Sequence, residues 1–452
     1  MRIRVFRLLA FIVLSGFGLA SCQTGPALTA TSPSTTVPPQ GIFYVDPTKD
    51  LGKISKFVLG ANLYGGLSAA NSDAAKNSGI TFLRWPGGNV GDTQDIQPYA
   101  VDIYIAEAKL MGAEPSICVR LPNSTPETAA AVVQYVNIEK KYGVKYWSIG
   151  NEPSLYESNS IFNDQAWDAV SYANRWREFA KAMKAVDPSI LIYGPDIHGS
   201  FTGNPATDPK DHLGKYYLQE FLKIDGDMAD IVTVHRYPFP ISMSDSAAPS
   251  VRDLMANTPE WDTIIPNLRR IIKDTTGKDL PVGVMEYNSN YTGISGADTS
   301  PDSFYGAIWL ADVMGRMIRQ KTEFMSYWEL TSGSGNSGFG LMTSFEVRPS
   351  YYVFQLYKRF GNHLLAASSD QSMVSVFAAK KDDGSVTVLF VNRGETAVKQ
   401  PLQLNQGDKL SLTESYLFDQ NDMAKAFSPP DFHNGDPVEV AGYSALLYEF
   451  HP

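Results

Sequence analysis

Between residues 57 and about 360, short runs rich in β-branched and aromatic residues alternate eight times with longer stretches of helical pattern. The runs are Phe57–Gly60, Thr81–Trp85, Glu114–Val119, Tyr146–Gly150, Leu191–Gly194, Ile231–His235, Pro281–Glu286 and Phe324–Trp328. Between them, apolar residues recur at three- and four-residue steps, as in Trp167, Val170, Trp176, Phe179, Met183 and Val186, or Trp261, Ile264, Leu268 and Ile271. That spacing lays them along one face of a helix. Strands joined by helices pair in parallel, because the crossover returns the chain to the same end of the sheet. Eight such units predict a (β/α)8 TIM barrel, an α/β fold. A doubly wound open sheet is the structural alternative. Three helix starts carry the same pattern: Thr125-Pro126-Glu127, Thr258-Pro259-Glu260 and Ser300-Pro301-Asp302. In each, a hydroxyl is placed to cap, proline suits the first turn, and the acid suits the helix dipole.

After Phe360 the alternation stops. Met373–Ala379, Val386–Val391, Val398–Leu402, Leu410–Tyr416 and Val438–Phe450 read as strands. The Asp383-Gly384 turn signal lies between the first two. These predict a small C-terminal antiparallel β-sandwich over 361–452, after a barrel over 41–360. Gly41–Asp46 precedes the barrel and, with the rest of 41–56, is a candidate strand of the sandwich. The 452 residues are 43% hydrophobic and 19% charged, which suits a globular chain with an ample core. The net charge of −10, with no basic cluster in the body, argues against a nucleic-acid partner.

Residues 1–21 read as a targeting segment. Arg2, Arg4 and Arg7 precede an apolar run, Leu8–Leu14, too short to span a bilayer. Leu19-Ala20-Ser21-Cys22 resembles a bacterial lipobox, which implies lipidation of Cys22, export, and a membrane partner reached through the lipid alone. The location expected is the cell envelope, at the cell surface or periplasmic side, and Gln23 resembles a signal permitting outer-membrane transfer. Ordinary signal cleavage with Cys22 incidental is the alternative. Residues 22–40, rich in Thr, Ser and Pro, read as a tether. The other cysteine, Cys118, sits in an apolar run and reads as core, so no internal disulfide is expected with Cys22 lipidated.

The C-terminal ends of barrel strands converge on one face, where active sites form. Read in order, those ends carry Asn62 and Tyr64, Arg84 and Trp85, Arg120, Asn151 and Glu152, Asp196 and His198, His235 and Tyr237, Glu286 and Asn288, then Trp328 and Glu329. Polar and aromatic residues at every strand end are hard to explain by packing. Two glutamates among them, Glu152 before Pro153 and Glu286, suit the two carboxylates of glycoside hydrolysis. One donates a proton to the departing oxygen and the other attacks the anomeric carbon. Asp196 and Glu329 are rival carboxylates. Alternation along a strand turns the neighbour of Trp328 away from the site.

The segment from Trp147 through Asn151-Glu152-Pro153 resembles the acid/base signature of clan A retaining glycoside hydrolases. His235, Tyr237 and Pro238 at the sixth strand, Glu286 at the seventh and Trp328 at the eighth extend the resemblance. Leu83 through Asn89 is similar to the corresponding segment of the clan's arabinofuranosidases, xylosidases and certain endoglucanases. The resemblance implies a retaining glycosidase acting on polysaccharide or oligosaccharide, with a carbohydrate as its substrate partner. It assigns Glu152 as acid/base and Glu286 as nucleophile. It also implies that Asn151 bonds the sugar 2-hydroxyl, that Arg84 and Tyr237 hold the nucleophile, that His235 lines the same wall, and that Trp328 floors the subsite. Trp85 is a candidate additional sugar platform, with plain burial as the alternative. No cofactor is implied and no metal ligand set stands out. The chain carries no H-E-x-x-H zinc signature, nucleophile elbow or P-loop lysine motif. Gly333, Gly335 and Gly338 match a dinucleotide spacing, but no helix pattern opens there, so they read as a loop on the rim. The rival from another class is a non-catalytic glycan-binding surface lipoprotein on a degenerate barrel. A solute-binding protein would need two similar lobes, which this order of elements does not offer.

Overall fold

The computed structural model describes residues 39–158, 162, 165–240, 248–332 and 337–452. Cys22, the targeting segment and nearly all of the tether lie outside them. Among the described residues, no helix is long and apolar enough to cross a membrane.

The first strand, β1 (Phe43–Lys53), leads into β2 (Gly60–Asn62), β3 (Phe82–Trp85), β4 (Glu114–Val119), β5 (Tyr146–Ile149), β6 (Leu191–His198), β7 (Ile231–Arg236), β8 (Val282–Tyr287) and β9 (Phe324–Tyr327). Strands β2 to β9 pair in parallel in chain order, and β9 returns to β2 through Gly60 with Ser326 and Ala61 with Tyr327. The barrel is closed, as the eightfold alternation predicts, and the open doubly wound alternative is set aside. Its first strand starts later than the apolar run Phe57–Gly60 suggests. Phe57 instead joins Phe82, Tyr146, Tyr193, Ile231, Met285 and Phe324 in a plug. Phe82, Tyr146, Ile231 and Phe324 are the first residues of β3, β5, β7 and β9, so alternate strands supply one layer of the filled interior. The Phe82 and Phe324 rings stack at 4.6 Å. With the N-terminal end sealed by aromatics, polar side chains are left to the opposite end.

Of the three expected helix caps, one forms as read: Thr125 accepts from Thr128 N at 3.2 Å. Thr258 spends its hydroxyl on buried Asp312, and its helix proper starts at Trp261. The helix Phe304–Arg319 is capped by Ser303, which accepts from Gly306 N, rather than by Ser300. In both cases a hydroxyl close by in sequence was outcompeted by a tertiary or later partner.

The remaining strands are β10 (His363–Ser369), β11 (Val374–Lys380), β12 (Val386–Asn392), β13 (Val398–Leu404), β14 (Ser411–Phe418), β15 (Lys425–Phe427), β16 (Pro437–Val440) and β17 (Ser444–His451). With β1 they form one nine-stranded sheet, ordered β15-β14-β17-β12-β11-β10-β1-β13-β16. Pairing is antiparallel except between β1 and β13. Residues from β1, β10 to β13, β16 and β17 share one apolar core, so the sheet curls over on itself. The long run Val438–Phe450 is two strands, broken at Ala441–Tyr443 where Tyr443 takes a left-handed conformation (φ 46°). The helix Phe304–Arg319 packs on this sheet. A side chain at Gly315 would lie 2.3 Å from the Phe377 ring, so glycine permits the approach.

Candidate active site

At the C-terminal end of the barrel, Arg84 on β3 is fully buried and gathers four elements. One guanidinium nitrogen donates to Asn62 Oδ1 and Glu286 Oε1, both at 2.9 Å. The other donates to Asn151 Oδ1 at 2.9 Å and Asp196 Oδ2 at 3.1 Å. A buried guanidinium needs such satisfaction, and its planar fork suits several acceptors at once.

Glu286, next to last in β8, has both oxygens occupied. Oε1 also accepts from Gly88 N at 3.2 Å, and Oε2 accepts from Tyr237 Oη at 2.9 Å. Glu152 follows β5 in a left-handed conformation (φ 49°), its N–H donating to Asp196 O at 3.2 Å. Its Oε1 lies 3.0 Å from His235 Nδ1, which is itself 3.5 Å from Glu286 Oε2. His198 Nδ1 stands 3.7 Å from the same Glu152 oxygen. One ligand atom from each of Glu152, His235 and Glu286 lies within 4.8 Å of the others. A cation could use that spacing, but the Arg84 charge bonded to Glu286 opposes a second positive charge there.

Burial pushes the Glu152 and Glu286 carboxyls above their ordinary range. On Glu286 the push is countered by His235, Arg84 and the Tyr237 hydrogen bond; on Glu152 it is countered by His198 and Arg84. Two carboxyls this close do not both ionise readily. Three hydrogen bonds are donated to Glu286, from Arg84, Gly88 N and Tyr237, and bonds of that kind favour the charged form of a carboxyl. Burial holds His235 and His198 below the usual imidazole range.

These groups surround a cavity of about 320 Å³ lined by Asn151, Glu152, His198, Tyr237, Glu286 and Trp328, with Leu155 and Phe339 at its apolar side. Trp328 packs on the loop after β3. A side chain at Gly88, which is left-handed (φ 61°), would meet its ring at 2.4 Å, and one at Gly87 would meet it at 3.0 Å. Asn288 Nδ2 donates to Trp328 O at 2.6 Å. A larger cavity, about 450 Å³, lies at the other end of the strands between Lys53–Lys56 and Phe360–Asn362. No acid lines it, so it offers no carboxylate chemistry.

The structure therefore brings Arg84, Asn151, Glu152, His235, Tyr237, Glu286 and Trp328 together. Trp85 is not part of the cluster. Its ring stacks on Tyr104 at 4.9 Å, because the residue after an inward-facing Arg84 points away from the barrel axis. The sugar-platform expectation for Trp85 is corrected accordingly. Arg120 also turns aside, to Pro122 O and Asp95. Cys22 lies outside the described residues, as do Gly333 and Gly335.

Three contributors were not named as site residues from the sequence. Asp92 is fully buried and accepts from Asn151 N at 3.0 Å and from Tyr156 Oη at 2.8 Å, so it supports the turn that presents Glu152. Burial raises its carboxyl to about 8. Tyr156 Oη also accepts from Asn151 N. Gly88 contributes its main-chain N–H, which no side-chain pattern could announce; the Gly87-Gly88 pair was the available hint.

A family model for glycosyl hydrolases family 39 matches residues 129–396, more than half of the chain. The chain belongs to glycosyl hydrolases family 39. This family 39 chain is 26% identical over 206 residues to the probable alpha-L-arabinofuranosidase C of Aspergillus terreus, covering 33% of this chain and 40% of that protein. It is 22% identical over 285 residues to the beta-xylosidase of Geobacillus stearothermophilus, covering 58% and 51%. The chain thus spans about half or less of the length of these curated relatives. Its fold is shared with the alpha-L-arabinofuranosidase of Thermotoga maritima (TM-score 0.68, 18% identity, 90% of this chain and 99% of that one). It is shared too with a family 44 xyloglucanase of Paenibacillus polymyxa (TM-score 0.71, 14% identity, 91% and 99%). The clan A resemblance read from the strand ends agrees with these findings.

Proposed function

We propose that this chain is a retaining glycosidase that cleaves O-glycosidic bonds in polysaccharide or oligosaccharide, with Glu286 as nucleophile and Glu152 as acid/base. The observation that carries the reading is the carboxylate pair itself, whose nearest ligand atoms lie within 4.8 Å in one cavity and whose surroundings differ. Retaining enzymes keep their carboxyls about 5–5.5 Å apart, whereas inverting enzymes separate them by about 6.5–9.5 Å to admit water.

In the first step a Glu286 oxygen bonds to the anomeric carbon as the glycosidic C–O bond breaks. The Glu152 proton passes to the departing oxygen. Glu286 is then an uncharged ester, so no negative charge remains on it to oppose ionisation of Glu152. Ionised Glu152 takes a proton from water, whose oxygen attacks the anomeric carbon and frees Glu286. Arg84, Gly88 N and Tyr237 hold the nucleophile throughout, and Trp328 offers a face to the sugar. Matches to an arabinofuranosidase and a xylosidase make arabinose and xylose glycosides the first substrates to try.

The test is product release by purified protein from aryl arabinofuranosides, aryl xylosides and plant polysaccharides, with a Glu286→Gln control. Turnover by the wild type that falls by at least about 10³-fold in Glu286→Gln, at unchanged melting temperature, is expected. Full activity in that variant would sink the assignment, and no wild-type turnover on any substrate would favour a glycan-binding role.

A further inference from the structure

The two-glutamate chemistry leaves one carboxyl at the site, Asp196, without a role. It sits at a β-bulge: β6 shifts register against β7 between Pro195 and Ile197, and Asp196 itself is left-handed (φ 53°). A bulge re-aims the side chain it carries, and a left-handed conformation persists where the surrounding structure holds it. Here the carboxyl is turned into the barrel and is almost wholly buried. Its Oδ2 takes the Arg84 bond at 3.1 Å. Its Oδ1 has no hydrogen-bond partner among the described residues, and neither has His235 Nε2. These two unpaired atoms lie 3.9 Å apart. The other nitrogen of the same ring, Nδ1, lies 3.0 Å from Glu152 Oε1.

The imidazole is neutral, because burial holds it below its usual range. A neutral ring carries one N–H and one lone pair. An N–H on Nε2 faces a carboxylate oxygen. An N–H on Nδ1 would instead leave the Nε2 lone pair facing that oxygen in a buried site. The gap of 3.9 Å is longer than a hydrogen bond, but charge still acts strongly across it where water is excluded. Glu152 can offer a proton to a lone pair on Nδ1, whereas Asp196, ion-paired with Arg84, has none to offer Nε2. Glu286 Oε2, 3.5 Å from Nδ1, pulls the other way but already accepts the Tyr237 hydroxyl.

We propose that Asp196 is a positioning residue: it fixes the ring proton of His235 on Nε2, and so leaves Nδ1 as the acceptor that keeps Glu152 protonated for its work as acid. The inference rests on the glycosidase reading and extends it to how the acid holds its proton. The other titratable or charged groups facing Glu152 are His198 on β6, Glu286 on β8, Tyr237 after β7, Arg84 on β3 and Asp92 in the turn after β3. Tyr172, Tyr193 and Cys118 face Asp196, and burial raises all three, so they stay neutral. Asp196→Asn exchanges an acceptor for a donor. Arg84 only donates, so the new amide must turn its oxygen to Arg84 and its NH2 to His235 Nε2. The ring proton then moves to Nδ1, where it favours ionised Glu152.

The experiment uses the full-length wild type and Asp196→Asn, both with isotope-labelled histidine, the His235 ring being assigned by its absence from His235→Gln. Nitrogen NMR shifts are expected to place the proton on Nε2 in the wild type and on Nδ1 in Asp196→Asn. Removing the Asp196 charge would by itself favour ionised Glu152, so the tautomer is read directly. kcat/KM is then measured on aryl glycosides of the sugar that the wild type accepts. With phenol as leaving group, Asp196→Asn should lose about 10²-fold at neutral pH, in line with what a general acid contributes. With dinitrophenol, which departs without a proton, it should stay within about threefold of wild type. A proton on Nδ1 in the wild type, an unchanged tautomer in Asp196→Asn, or a phenol-to-dinitrophenol ratio equal to that of the wild type would each overturn the proposal. If Asp196→Asn does not fold, the wild-type tautomer decides. If the wild type turns over nothing, the glycosidase reading fails separately, and the two tautomers alone decide whether Asp196 orients His235.

Discussion

Asp92 is a carboxyl kept where no sugar needs to touch it. It holds Asn151 N and Tyr156 Oη, and burial raises it from 3.8 to about 8. Because the folded chain binds this proton more tightly than the unfolded one, the stabilisation is complete below about pH 4 and is lost as pH climbs toward 8. Asparagine at this position can still accept both hydrogen bonds but does not titrate. The Asp92→Asn variant should therefore show a shallower fall in melting temperature between pH 5 and pH 8 than the wild type. Parallel curves would mean that Asp92 is already ionised in the folded state. At this scale the sequence revealed Glu152 and Glu286, which terminate recognisable strands. It did not reveal Asp92, which acts on a residue 59 positions away that only folding brings near.

At the scale of the element, the loop after β3 shows what a glycine pair is for. Gly88 is left-handed, donates its N–H to Glu286, and leaves no room for a side chain against Trp328. Gly88→Ala should raise KM about tenfold by displacing Trp328. It should cost about 1–2 kcal/mol of stability, since the left-handed backbone disfavours alanine. Steady-state kinetics and denaturant unfolding would read these separately, and a variant with unchanged KM would remove the Trp328 ring from sugar binding. Barrel strands were legible because each is a compact apolar run bounded by turn residues. Strand β10, with the sequence His363–Ser369, has no alternation to mark it, and it forms because β1 and β11 supply its partners. The cap at Thr258 misled for the same reason, since its hydroxyl bonds Asp312 far along the chain; the Ser300 hydroxyl instead bonds its sequence neighbours Ala297 O and Asp302.

At the scale of the molecule, a buried charge cluster joins barrel and sheet. Arg393, just past β12, reaches Asp312 on the helix Phe304–Arg319 at 2.9 Å and donates to Met255 O and Ser372 O. Arg316 bonds the same Asp312 oxygen at 2.8 Å. Burial works against the Asp312 charge, but Arg316 and Arg393 hold its carboxyl below the usual range. Arg393→Met should destabilise the chain by about 3–5 kcal/mol, because it strips a buried carboxylate of one cation and leaves two carbonyls unpaired. Chemical denaturation measures this directly, and a loss under 1 kcal/mol would mean that Arg316 alone neutralises Asp312. Nothing in the sequence linked Arg393 to Asp312, since neither sits in a motif and 81 residues separate them.

What the sequence determined by itself is whatever repeats or terminates locally. The eight alternating βα units dictate a parallel sheet, and their number favours closure. The strand ends then collect Arg84, Asn151, Glu152, His235, Tyr237, Glu286 and Trp328 on one face, because parallel strands of one barrel all end there. The tertiary structure alone decided the different surroundings of the two carboxylates, the outward turn of Trp85, the burial of Asp92 and Glu329, and the welding of sheet to barrel. Each of these depends on distances of a few ångströms between residues far apart in the chain. Desolvation and hydrogen bonding act over that range, and no linear pattern encodes it.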